Sequence, residues 1–134
     1  MSRPAIAVLA EDLVWADRLG RAVKAAGGRP LPARTTGELD GHLATAGRAI
    51  VDLTARSYDP VEAVGRAARA GAGVLAVGPH DDVELRKRAL AAGADKVLAY
   101  RKLFEDGPAT IRRWIDAADR GPALAAPAAE ASAR

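Results

Sequence analysis

Cysteine is absent from the 134-residue chain, which removes disulfide staples, thiolate metal sites and thiol nucleophiles together. Aromatic residues make up only 4%, so the core must be built from Val, Leu, Ile and Ala, and the platforms on which nucleic-acid bases stack are missing. No apolar run is long enough to span a bilayer. The apolar stretch at residues 5–10 gives way to Glu11 and Asp12 too early for a secretion signal, and a soluble, cytoplasmic protein with no membrane partner is expected. Charge of one sign is not in large excess: 20 Lys and Arg stand against 17 Asp and Glu, a net charge of +3. The arginines are interleaved with acids, as on solvated helix faces, so nucleic acid is set aside as a partner. No P-loop and no Gly-x-Ser-x-Gly elbow occurs. Gly71-x-Gly73 precedes a strand instead of following one, the wrong context for a dinucleotide fingerprint, and His42 and His80 lie far apart without companion ligands.

What is present is a regular alternation. Residues 5–9, 49–53 and 74–77 are continuously apolar or nearly so, as strands covered on both faces are. Residues 29–33 are a weaker strand, broken by Pro30 and Pro32 and therefore placed at a sheet edge; residues 96–100 form the fifth. Between them lie helical patterns: 12–26 with Trp15, Leu19, Ala22, Val23 and Ala26 inward, a short helix capped by Thr35 or Thr36, a third opened by Asp59-Pro60 with Val61, Val64 and Ala68 inward, and a fourth opened by Asp81 or Asp82 with Leu85, Ala89 and Ala92 inward. The fifth is expected from Pro108, with Asp106 as cap and Ile111, Trp114, Ile115 and Ala118 inside. One domain at 1–120 results, followed by an Ala/Pro-rich tail at 121–134 expected to be disordered, either a linker toward an output domain or a plain extension.

Strands alternating with helices through short loops require right-handed crossovers and a parallel sheet. Five such units with the second strand at the edge give an α/β, flavodoxin-like (βα)5 three-layer sandwich of order 2-1-3-4-5. Ligands in that topology sit beyond the carboxyl ends of the strands, where the order reverses. Ala10, Glu11, Asp12, Asp52 and Thr54 fall there, beside Gly78 and Tyr100.

Val8-Leu9-Ala10-Glu11, Ile50-Val51-Asp52-Leu53, Val74 to Gly78 followed by Asp81-Asp82, and above all Ala89-Leu90-Ala91-Ala92-Gly93-Ala94-Asp95 resemble, in order and spacing, the response-regulator receiver domains of two-component signalling over about residues 3–120. The resemblance implies a phosphoacceptor at Asp52, a Mg²⁺ ion held by two acids after the first strand together with that aspartate, a hydroxyl residue ending the fourth strand and a lysine ending the fifth. Here those places hold Ala10-Glu11, Gly78 and Tyr100. A Mg²⁺ ion on Glu11 and Asp52 would be weakly bound, since one carboxylate is missing, and no other cofactor is implied. Arg56 and Arg101 are solvated loop residues by default, with the alternative that one sets a guanidinium over Asp52.

The reading is a stand-alone, degenerate receiver-like domain, not an enzyme, with phosphorylation lost or weak. It would act on a protein partner (a histidine kinase, another signalling protein or a second copy) through the fourth helix, fifth strand and fifth helix, where Arg86, Lys87, Arg101, Lys102, Arg112 and Arg113 lie. The alternatives are a working phospho-receiver using Asp52 and a small-ligand-binding or catalytic flavodoxin-like domain.

Overall fold

Residues 6–9, 49–51 and 74–77 are each at most 2% exposed, as runs without polar alternation must be if water is to be kept from both faces of a sheet. The computed structural model describes the backbone of residues 3–133 and the side-chain environment of residues 3–117. The expected inward Ala118 and the expected tail at 121–134 lie outside the residues whose surroundings are described.

Five parallel strands, β1 (Ala5–Leu9), β2 (Arg29–Ala33), β3 (Arg48–Asp52), β4 (Gly73–Gly78) and β5 (Lys96–Ala99), stand in the order β2-β1-β3-β4-β5. They alternate with α1 (Leu13–Ala25), α2 (Thr36–Leu43), α3 (Pro60–Arg69), α4 (Val83–Ala92) and α5 (Tyr100–Ala133). The architecture is the flavodoxin-like three-layer sandwich. Pro30 and Pro32 are accommodated because β2 pairs with β1 alone, so their missing N–H groups leave no ladder bond unmade on the open side. Among the described residues no helix is long and apolar enough to cross a membrane.

Helix starts follow the side chains that can cap them. Asp12, Thr35, Asp59 and Asp82 each accept backbone N–H groups in the first turn of α1, α2, α3 and α4, satisfying donors that have no partner within the helix. The Gly93-Ala94-Asp95 turn ends α4 in the same economical way. Gly93 has φ +122°, and a Cβ there would stand 2.6 Å from the Cβ of Ala68, so both backbone sign and crowding demand glycine. Asp95 then closes on β4, its carboxylate accepting from the N–H of Val74 at 2.9 Å.

The carboxyl-terminal element departs from expectation. The helix begins at Tyr100 and not at Pro108, and β5 ends one residue earlier, at Ala99. Asp106, expected to cap, sits in a non-helical break (φ −150°, ψ 34°), where Pro108 offers no N–H and its ring would collide with the carbonyl four residues back. The extra turn before the break sets Tyr100 at a helix start directly after β5, at the carboxyl end of the sheet.

Candidate functional site

Because β1 and β3 diverge toward helices on opposite faces of the sheet, their carboxyl ends leave a cleft of about 420 Å³ lined by Glu11, Asp12, Trp15, Asp52, Thr54, Ala55, Arg56 and Tyr100. Asp52, the last residue of β3, lies at its floor and is only 1% exposed. A buried carboxylate must find donors. One oxygen, Oδ1, accepts from the backbone N–H of Thr54 at 3.1 Å, from the Thr54 hydroxyl at 2.9 Å and from the Tyr100 hydroxyl. Thr54 and Tyr100 also touch each other, Oγ1 to hydroxyl, at 2.5 Å. The three side chains form a closed clasp joining the ends of β3 and β5.

Tyr100 is held from behind by the Trp15 ring of α1, the ring centroids 4.2 Å apart. Burial first, and then the hydrogen bond to Asp52, raise its hydroxyl pKa well above the ordinary tyrosine value, so the group keeps its proton and donates to the carboxylate. An amine in its place would carry charge; the phenol carries only a dipole, and it satisfies Asp52 without neutralising it.

Glu11 turns the other way. Its Oε1 accepts from the backbone N–H of Arg56 at 2.6 Å and of Ser57 at 3.4 Å, ordering the loop after β3. The Arg56 N–H is the leading reason that the Glu11 pKa lies below its ordinary value. Asp12 is engaged as the α1 cap, Oδ1 accepting from Val14 and Trp15. Tyr58, which sequence reasoning passed over as a loop residue, donates its hydroxyl toward the carbonyls of Asp52 at 2.9 Å and Leu9 at 3.3 Å, bridging the ends of β3 and β1. Its only signal in the sequence is a tyrosine shortly after a buried strand in a chain poor in rings.

The donor set does not fit Mg²⁺. Ala10 has no ligand atom, each acidic side chain already serves local N–H or O–H donors, and among the described residues no three His, Cys, Asp or Glu side chains come together as a cation would require. Gly78 ends β4 without a hydroxyl, although a Cβ there would meet the Leu53 side chain at an ordinary 3.4 Å. Arg101 pairs with Glu105 at 3.3 Å, away from Asp52. Arg56 lines the cleft but makes no ion pair with Asp52 among the described residues.

The six cations assigned to a partner surface are divided by the structure. Lys102 and Arg113 share Asp106, Arg101 has Glu105 and Arg112 has Asp116. Arg112 also donates to the carbonyl of Ala26 at the end of α1, which turns it from the α4 side. Arg86 and Lys87 stand exposed on α4 without ion pairs among the described residues, so the positive field of this face is weaker than the residue types alone suggest.

No protein-family profile matches the chain, and no curated protein matches it. Solved structures do. A two-component response regulator from Clostridium difficile superposes with a TM-score of 0.74 at 13% identity, covering 85% of this chain and 97% of the other. A response regulator from Thermotoga maritima gives 0.73 at 15% identity, with 86% and 99% covered. A response regulator receiver domain protein from Methanospirillum hungatei gives 0.66 at 20% identity, with 86% and 98% covered. The chain therefore has the fold of response-regulator receiver domains.

Proposed function

We propose that the chain is a degenerate receiver-like signalling domain that works by binding a protein partner, with phosphoryl transfer to Asp52 lost or weak. The Tyr100–Thr54 clasp on Asp52 Oδ1 carries this reading. Attack of a carboxylate on phosphorus gathers negative charge at the site, and cations placed in advance are what lower that cost. Three carboxylates and a single guanidinium line this cleft, an arrangement that repels an anionic donor. The exposed Arg86 and Lys87 of α4, with β5 and the first turn of α5 beside them, are the partner surface favoured, and a basic edge of that kind would mainly speed encounter with an acidic protein.

The test is incubation with a small acyl phosphate and Mg²⁺ followed by intact-mass measurement. No phosphoryl mass is expected on the native chain. A near-complete adduct, absent from Asp52→Asn, would overturn the proposal in favour of a working phospho-receiver.

A further inference from the structure

Phe104 is the only phenylalanine of the chain, and it stands 71% exposed near the start of α5. Beside it a groove of about 380 Å³ opens between α1 and α5, lined by Trp15, Arg18 and Ala22 on one wall and by Leu103, Phe104 and Pro108 on the other. One turn ahead of Arg18, on the same stripe of α1, Val14 is 59% exposed. Single exposed apolar residues are ordinary; a large ring and a β-branched side chain flanking an apolar groove mark a contact surface.

The charge of the groove indicates its occupant. Two guanidiniums line it, those of Arg18 and Arg21, and no carboxylate does. Among the described residues of α1 and α5, Arg21, Arg101, Lys102, Arg112 and Arg113 each pair with an acid of their own helix, whereas Arg18 has no ion pair. Its guanidinium reaches across the groove instead, 5.5 Å from the centroid of the Trp15 ring and 5.0 Å from that of Phe104. Such ring contacts engage the face of the cation and leave its in-plane N–H donors for a carboxylate. Because the two rings already fix where the guanidinium stands, receiving an acid there orders little more. The other walls are apolar, so the occupant must bring apolar groups together with negative charge. A groove between two helices suits a third, whose side chains three and four residues apart fall on one face.

We infer that the α1–α5 groove docks a helical segment of a partner protein that carries apolar side chains beside a carboxylate, the apolar groups packing against Phe104 and Val14 and the acid received by Arg18. The surface is separate from Arg86 and Lys87 of α4, and the inference does not depend on whether Asp52 accepts a phosphoryl group. The probe is a fluorescein-labelled, alanine-based peptide of about 16 residues, with two leucines four positions apart and a glutamate just before the second. It is titrated with the native chain at fixed ionic strength and followed by anisotropy. Saturable binding is expected, weakened about tenfold by Arg18→Gln, by Phe104→Ala and by glutamine in place of the peptide's glutamate. Lys87→Gln should leave it unchanged. All three positions are exposed, so the variants keep the fold, which their amide spectra check. Absence of saturable binding, undiminished binding in Arg18→Gln and Phe104→Ala, or loss in Lys87→Gln alone would overturn the inference. So would binding to phosphatidylglycerol vesicles in place of the peptide, or a native dimer in sedimentation that Phe104→Ala dissolves, since these assign the groove to a lipid surface or to a second copy.

Discussion

The two faces of the sheet are built from different materials. The cluster under α1 and α5 has three alanines among its fifteen buried residues, the rest being larger, including Ile6, Leu19, Ile50, Leu75, Ile111 and Trp114. The cluster under α2, α3 and α4 has nine alanines among fifteen. Geometry explains the contrast. Five strands about 4.8 Å apart make a sheet roughly 19 Å wide, which two helices of about 10 Å diameter just cover. Three helices on the opposite face must lie closer to each other and to the sheet, and alanine permits that approach. Large side chains fill space on one face; small ones remove it on the other. The aromatic residues of the cleft, Trp15 and Tyr100, belong to the first face, packed against its cluster.

The sharpest test of this contrast is a pair of opposite substitutions measured by urea unfolding. Ile50→Ala opens a cavity under α1 and α5 at a fully buried site, where truncation typically costs about 2–5 kcal/mol. Ala67→Leu forces added volume between α3 and the sheet, also at a fully buried site, and should cost about 1–3 kcal/mol. A neutral Ala67→Leu would mean that the alanine face has slack, and the close-packing account would fail.

The same contrast bears on what could be read from the sequence. The apolar strands, the capping aspartates and the edge position of a proline-bearing strand are local or nearest-neighbour properties, and each was legible. Asp52 could be placed at the crevice because the order of elements fixes where β3 ends. The clasp could not, since Tyr100 reaches Thr54 across 46 residues only because α5 starts with an extra turn before the break at Asp106, and proline and glycine at 107–108 conceal that turn in a periodicity count. The ion pairing of the basic face was hidden for a related reason. Residue type gives the cations, but whether Arg101, Lys102, Arg112 and Arg113 meet acids at helical spacing depends on rotamers.

The smallest effect expected belongs to Glu11, and it separates the edge of the sheet from its interior. The folded chain holds this carboxyl below its ordinary value of 4.5, chiefly through the Arg56 N–H. A group whose pKa is lower when folded stabilises the fold above the unfolded pKa and loses that contribution as the pH falls through the folded one. Glu11→Gln should therefore lie furthest below the native chain in stability near neutral pH, and the gap should close as the pH drops below about 4.5, because protonation takes from the native side chain the charge that the amide lacks throughout. Urea unfolding of both proteins at neutral pH and again in acid measures it. A gap that stays constant with pH would show that the loop after β3 is held by packing, including the Tyr58 bridge, and not by the ionised carboxylate.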